Sequence, residues 1–518
     1  MKGENYINKI DLTKSDNKWL EYHTLTRERT SELKSIDNNK PLSLKIWSII
    51  VTFLSALIFD RFFVEKNIGI SFFIYWVVLL VCFYVVNKEN IKFRKSMGWF
   101  LLIPSLLVSF SYTIHNNIIL RSINIVIVPV LFTFSFLLIV YNSLEWYKLN
   151  FLQDFFKRIF PLTIENMFKP FSFLKELFTS KNKLKSINKD ILLGILVTIP
   201  VLFIVLFLLS SSDLIVNYYI THLFSNFNFD FNFGHILIIF LIFIITFGFI
   251  WSFNYPIQRL IMNKSEKTTI NSSVILVLLI SLSFVYLLFT LIQSSYLYTS
   301  GKSLPTGITY ASYARTGFFQ LLLVTLINLS IVYFTTKYIE YKNNKAKKIS
   351  KILLCLIVLF TINMLYSSHF KLSLYENYYG FTYLRFYVHY TIITIFILLV
   401  IALVSIIGEK LSISKCTLVS LLVMYTIINF FNVDGFIAKK NIQRYNATGK
   451  LDISYNMSLS ADAFEEISSL KDKSNKYTNI SDSVDRYIDR TLDYVNSDTH
   501  WYEFNIRKNE IKQLRIKN

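Results

Sequence analysis

Leu384-Arg-Phe-Tyr-Val-His-Tyr-Thr-Ile-Ile-Thr-Ile-Phe-Ile-Leu-Leu-Val-Ile-Ala-Leu-Val-Ser-Ile-Ile407 decides the fold. After His389 no charged residue appears until Glu409. A run of this length, coiled as a helix, crosses the roughly 30 Å hydrocarbon core of a bilayer. Its apolar residues are continuous rather than alternating, which selects helices over a barrel. Lipid offers backbone groups no hydrogen-bond partner, so a helix must satisfy them internally. The first residues of the run are a different matter. Arg385 and His389 sit in its first turns, where polar groups are costly unless paired.

Working outward, similar runs occupy residues 42–59, 68–86, 98–114, 118–141, 191–209, 233–253, 274–292, 318–336, 349–366 and 416–431. The expected fold class is therefore all-α, a polytopic transmembrane helix bundle of about eleven spans. Pro104, Pro129 and Pro200 lie inside runs and permit kinks. Of the 518 residues, 53% are hydrophobic, and the mean hydropathy is +0.44. Lys and Arg number 54 against 34 Asp and Glu, a net charge of +20. Basic residues concentrate in the N-terminal arm and alternate loops, including Lys88–Lys95, Arg259–Lys267 and Lys337–Lys351. The positive-inside rule explains that pattern, with the N-terminus cytoplasmic, and nucleic acid is not needed to account for the charge. An odd number of spans then puts the C-terminal tail outside a bacterial inner (plasma) membrane.

Five segments follow. Residues 1–41 form a polar cytoplasmic arm and 42–141 hold four spans. Residues 142–189 carry amphipathic patterns expected to lie in the cytoplasmic interface: Leu152, Phe155, Phe156 and Ile159 on one face, Gln153, Asp154, Lys157 and Arg158 on the other. Residues 190–432 carry the remaining spans. Residues 433–518 form a small helical extramembrane tail, with Ser460 capping one helix and a second over 480–495. Cys82, Cys355 and Cys416 form no CxxC, so neither a disulfide framework nor a thiolate metal site is indicated. No dinucleotide, P-loop, serine-hydrolase or zinc-protease signature occurs, and neither a cofactor nor a metal is expected. His369 and His389 flank one polar stretch, but two histidines are weak support for a metal.

Three polar stretches map to the outer face in this topology. In the first, Tyr310, Tyr313, Arg315 and Gln320 stand at a helix entrance, with Tyr313, Gly317 and Gln320 sharing a face. In the second, Gly380 suits a turn with positive φ before Thr382, Arg385 and His389, with Glu376 the acidic partner expected for Arg385. In the third, Asp434 is expected to cap a helix from Gly435 to Tyr445, with Phe436, Ile437 and Lys440 on the bilayer surface.

These stretches resemble a bacterial membrane family known as domain of unknown function 4153, also labelled 4173. The matching residues are Tyr310-Ala-Ser-Tyr-Ala-Arg-Thr-Gly-Phe-Phe-Gln-Leu322, Leu374-Tyr375 with Tyr379-Gly-Phe-Thr382 and Leu384-Arg385, and Asn432-Val-Asp434 with Ile437-Ala438 and Asn441. Gly449-Lys-Leu-Asp452 and Leu459-Ser-Ala-Asp462 resemble the family's tail. The resemblance covers residues 189–470 and implies no activity, substrate or catalytic residue. Lys371-Leu372 stands where the family pattern carries Arg-Met.

Three classes of function stay open. One is transport or lipid handling, with Arg315, Glu376 and Arg385 binding an anionic lipid or small molecule, or exchanging protons. The second is an envelope enzyme acting on a lipid-linked substrate, with Glu376 as general base. The third is a non-catalytic scaffold or sensor whose tail binds a protein partner.

Overall fold

A computed structural model describes residues 35–91, 96–141, 144–179, 233–256, 270–297, 317–340, 343–408, 411–471, 478–498 and 500–517. Among these residues the chain is helical. The one exception in ordered pairing is a two-residue parallel match of Ile270 with Ile339 and Asn271 with Glu340. Among the described residues nine helices are long and apolar enough to cross a membrane: α1 Leu42–Phe63, α2 Ile70–Asn87, α3 Met97–Ile114, α4 Ile118–Val140, α8 Phe233–Ser252, α9 Ser272–Leu297, α10 Phe318–Tyr338, α11 Asn344–Tyr379 and α12 Tyr383–Gly408. A tenth candidate is α13 Ile413–Ile428 taken together with α14 Val433–Thr448, but the pair is bent by 66°. The expected span at 191–209 lies outside the described residues. The protein is an all-α polytopic helix bundle.

The chain divides into two units, and α2, α3 and α4 contribute residues to both. The first unit contains α1, α8 and the short helices between spans, α5 Leu149–Lys157, α6 Thr163–Asn166 and α7 Lys169–Thr179. A π-helical turn, Arg158–Leu162, carries the chain past Pro161. On the polar face of α5, Asp154 and Arg158 are buried, while Leu152 and Phe156 on the apolar face are exposed, as a face turned to lipid would be. The cause is a set of open carbonyls at the end of α8. The Arg158 guanidinium donates to the carbonyls of Ser252 and Tyr255 and to the Tyr141 hydroxyl, over the rings of Tyr141 and Phe253. The last carbonyls of a helix have no partner within it, and a cation there is favoured. Asp37 performs the companion task, accepting from Trp251 Nε1 at 3.0 Å, Tyr255 Oη at 2.5 Å and Lys169 Nζ at 2.5 Å.

In the second unit α11 is central. It packs on α9, α10 and α12 through Leu354, Ile357, Met364 and Leu372, against Leu279, Val332, Ile392 and Leu399. Small and polar side chains fasten the contacts inside: Tyr286 Oη donates to Asn328 Oδ1 at 2.6 Å, and Asn328 Nδ2 to Thr361 Oγ1 at 3.0 Å. Such bonds between spanning helices replace the hydrophobic drive that lipid cannot supply. With 36 residues at 1.5 Å each, α11 is about 54 Å long and must outreach the hydrocarbon core. Its last turns carry Glu376 out of the apolar run seen in sequence.

The tail completes the unit. It comprises α14, α15 Ile453–Met457, a 3₁₀ turn Ala461–Ala463, α16 Phe464–Ser468, α17 Thr478–Asn496, a second 3₁₀ turn Trp501–Glu503, and α18 Ile506–Lys517. Asn432, not Asp434, caps α14: its Oδ1 accepts from Gly435 N at 2.8 Å. Ser460 caps the first 3₁₀ turn, as its position before Ala461 suggests. Ile437 is not on a bilayer surface. It is buried with Val433, Ala438, Leu459, Ala463, Ile467 and Tyr487, in a core that also takes in Leu120 of α4 and Ile428 of α13. Each fully buried side chain of this size contributes about 1.5–3 kcal/mol. The tail is thus built on the end of the bundle.

Candidate functional site

The site forms around the turn between α11 and α12. Gly380 ends α11 with φ +87° and ψ 177°, and its N–H returns to Glu376 O at 2.7 Å. That backbone region belongs almost solely to glycine. The residue after it is gripped from α14: Phe381 N donates to Asn441 Oδ1 at 2.7 Å, and Asn441 Nδ2 donates to Phe381 O at 3.0 Å. Arg444 caps the open carbonyls of α11, reaching Tyr378 O at 2.7 Å and Asn377 O at 3.1 Å. A Cβ on Gly380 would stand 3.0 Å from Asn441 Oδ1 and 3.3 Å from Arg444 Nη1. Gly380→Ala therefore combines backbone strain with crowding of the grip, and its expected cost is about 1–3 kcal/mol. A thermal melt of the purified variant checks it, and an unchanged melting temperature would contradict the strain.

Above this turn lies a chain of acceptors and donors. Glu376 Oε2 is 2.8 Å from His389 Nε2, and His389 Nδ1 is 3.0 Å from His369 Nδ1. Glu376 is 3% exposed, and its Oε1 has no hydrogen-bond partner among the described residues. The three side chains form a relay, because His389 uses opposite sides of its ring. A metal site needs donors converging on one point. Among the described residues no group of three His, Cys, Asp or Glu is arranged to hold a metal ion.

Arg385, expected to pair with Glu376, is engaged elsewhere: it donates to Gly380 O and lies 4.4 Å from the Tyr375 ring centroid. Beside the relay is a groove of about 400 Å³ lined by Phe381, Phe386, Tyr390, Ile393, Ile427 and Phe431. Its lining is almost wholly apolar, with Glu376, His369 and His389 supplying the polar edge.

A second polar network lies where the tail meets the α3–α4 loop. Asp434, 0% exposed, accepts from Asn117 Nδ2 at 2.6 Å, from Ser460 N at 2.9 Å and from the Tyr383 hydroxyl. Asp462 accepts from Asn116 N at 2.6 Å and from Asn116 Nδ2 at 3.2 Å. Its Oδ2 lies 3.8 Å from His115 Nδ1. Burial, reinforced by the charge of Asp434, pushes the Asp462 carboxyl up to about 7, against the opposing pull of the Asn116 bonds and Arg121. Burial also depresses His115, whose Nε2 is 3.2 Å from Phe430 O. Asn505 joins the set, donating to Tyr112 O at 2.9 Å while its Oδ1 accepts from Asn116 Nδ2 at 3.0 Å.

The eight sequence candidates thus separate. Tyr310, Tyr313 and Arg315 lie outside the described residues. Gln320 is exposed on the first turn of α10. Glu376 and His389 meet, Arg385 braces the turn beneath them, and Asp434 belongs to the second network. Sequence reasoning did not single out His369 as a partner of His389, or Asn116, Asn117 and Asp462 at all as site residues. For Asp462 a signal existed in the Leu459–Asp462 motif.

Comparison with known families adds the decisive observation: residues 102–470 match the family described as Domain of unknown function (DUF4153). The chain belongs to that DUF4153 family. No curated protein and no solved structure matches it significantly. Apart from Asn505, both polar networks and the groove fall inside the region shared with DUF4153. The motif residues noted in sequence touch one another here, since Asn441 of one motif holds Phe381 of another and Asp434 binds Ser460 of a third.

Proposed function

We propose that the protein handles a lipid, taking an apolar chain into the groove between α11, α12, α13 and α14 and presenting its polar end to the Glu376–His389–His369 relay. The observation that carries this reading is the combination of an apolar groove of about 400 Å³ with a single polar edge made of buried Glu376, half-buried His389 and exposed His369. Binding sites for small apolar molecules have this composition and size. Phe386, Tyr390 and Ile393, where α12 begins its apolar run, line the groove, which supports entry of a lipid from the bilayer. The setting we propose is a bacterial inner membrane, with the N-terminus cytoplasmic and the groove and tail outside, supported by the alternation of basic loops.

The test is the lipid that accompanies the purified protein. Native mass spectrometry should find bound lipid, and Ile393→Trp with Ile427→Trp, which fill the groove, should lower its occupancy about fivefold or more. The melting temperature should stay near that of the unaltered protein. Equal occupancy in the filled variant would sink the proposal.

A second reading has its own support. A histidine oriented by a carboxylate is the pairing used for general base catalysis, and the relay would then act on a lipid-linked substrate. Chemical conversion of a bound lipid that stops in His389→Gln, with binding retained, would favour the enzyme. Binding without conversion would favour transport or lipid handling alone.

A further inference from the structure

We infer that the amphiphile taken by the groove carries a protonated amine, and that Glu376 Oε1 is its acceptor. This rests on the reading of the groove as a lipid site and goes beyond it by assigning the polar end. Glu376 lines the groove, one carboxylate oxygen bound to His389 Nε2 at 2.8 Å and the other without a hydrogen-bond partner among the described residues. A buried carboxylate oxygen left unsatisfied is unfavourable, and burial of a charge is tolerated when a donor or opposite charge meets it. Arg385, the cation that the sequence pattern pairs with Glu376, does not fill that role. Arg385 spends its guanidinium on Gly380 O and the Tyr375 ring. Among the described residues an anionic headgroup would find no free guanidinium on this edge and would face the Glu376 carboxylate. An amine finds an acceptor at Glu376 and apolar walls of Phe386, Tyr390, Ile393, Ile427 and Phe431 for its chain.

The arrangement therefore favours a membrane aminolipid arriving from the bilayer over the anionic ligand that basic residues in the sequence suggest. Charge-assisted hydrogen bonds are the strong ones, and one to a desolvated carboxylate corresponds to about tenfold or more in affinity.

The experiment compares dodecylamine, dodecanol and dodecanoate binding to the full chain in nanodiscs, each corrected for partition into empty nanodiscs. The expected order is amine first and carboxylate last, with amine about tenfold or more above alcohol. In Glu376→Gln the amine preference should vanish while the alcohol binds as before. If that variant does not accumulate, the order on the unaltered chain decides by itself. Equal binding of all three would overturn the amine assignment and leave the groove reading standing. Tighter binding of dodecanoate would overturn the assignment outright. No binding by any of the three would overturn the groove reading itself, and the assignment with it.

Discussion

Replacing Asp434 by alanine should lower stability by about 4 kcal/mol, among the largest effects of any single substitution in this chain. The carboxylate is fully buried and serves Asn117 Nδ2, Ser460 N and the Tyr383 hydroxyl at once. Truncation leaves those donors without their acceptor, at about 1–3 kcal/mol each before relaxation. The three donors come from the α3–α4 loop, the tail and the start of α12, so their common acceptor holds three segments together. Asp434→Asn keeps one acceptor oxygen and should cost less than the alanine variant. Thermal melts and the folded fraction after purification measure both. An Asp434→Ala protein that melts with the unaltered chain would remove Asp434 from the centre of this network.

The second large effect is a dependence of the tail's docking on pH. Burial raises Asp462 from its ordinary 3.8 to about 7 in the folded protein. Between those values the folded state binds a proton that the undocked state releases. The favourable contribution is complete below about 4 and is lost as pH rises to about 7. A shift of about three units corresponds to about 4 kcal/mol. His115 works in the opposite direction. Its folded value is depressed by burial, so acidification through its ordinary range near 6.5 costs stability. The groups facing this site are Asp434, Arg121, Arg507, Glu510 and Tyr487.

Amide exchange in Ala461–Ser468 reads the docking directly. In His115→Gln, where the opposing contribution is gone, protection should fall by up to about a thousandfold from pH 4 to pH 7, after correction for intrinsic exchange. Adding Asp462→Asn should flatten the profile. Protection in His115→Gln that does not change with pH would contradict this account of Asp462.

The spans were readable because lipid demands long apolar runs, and a run such as residues 384–407 has no other physical outlet. Gly380 was readable too, since few residues but glycine turn the backbone at φ +87°. The helical setting of Glu376 was not readable, for a related reason. The apolar period ends near Tyr366, but α11 continues to Tyr379 because water, unlike lipid, allows a polar helix to go on. Periodicity puts Arg158 on the polar face of α5, and it lies buried on carbonyls of residues 252 and 255. Nothing near it in sequence announces those partners. The same holds for Asn116 and Asp462, which are paired across 346 positions. Periodicity reports which solvent a helix faces. It does not report which distant carbonyl or carboxylate waits at the helix end, and the candidate site is made of such ends.

The groove is the central claim, and photolabelling tests it most directly. An aminolipid bearing a diazirine in its acyl chain, irradiated with the full protein in nanodiscs, should label Phe386, Tyr390, Ile393, Ile427 or Phe431 above the lipid-facing background. That labelling should disappear in the Ile393→Trp, Ile427→Trp variant. Labelling spread evenly over the exposed apolar faces, unchanged when the groove is filled, would contradict the account.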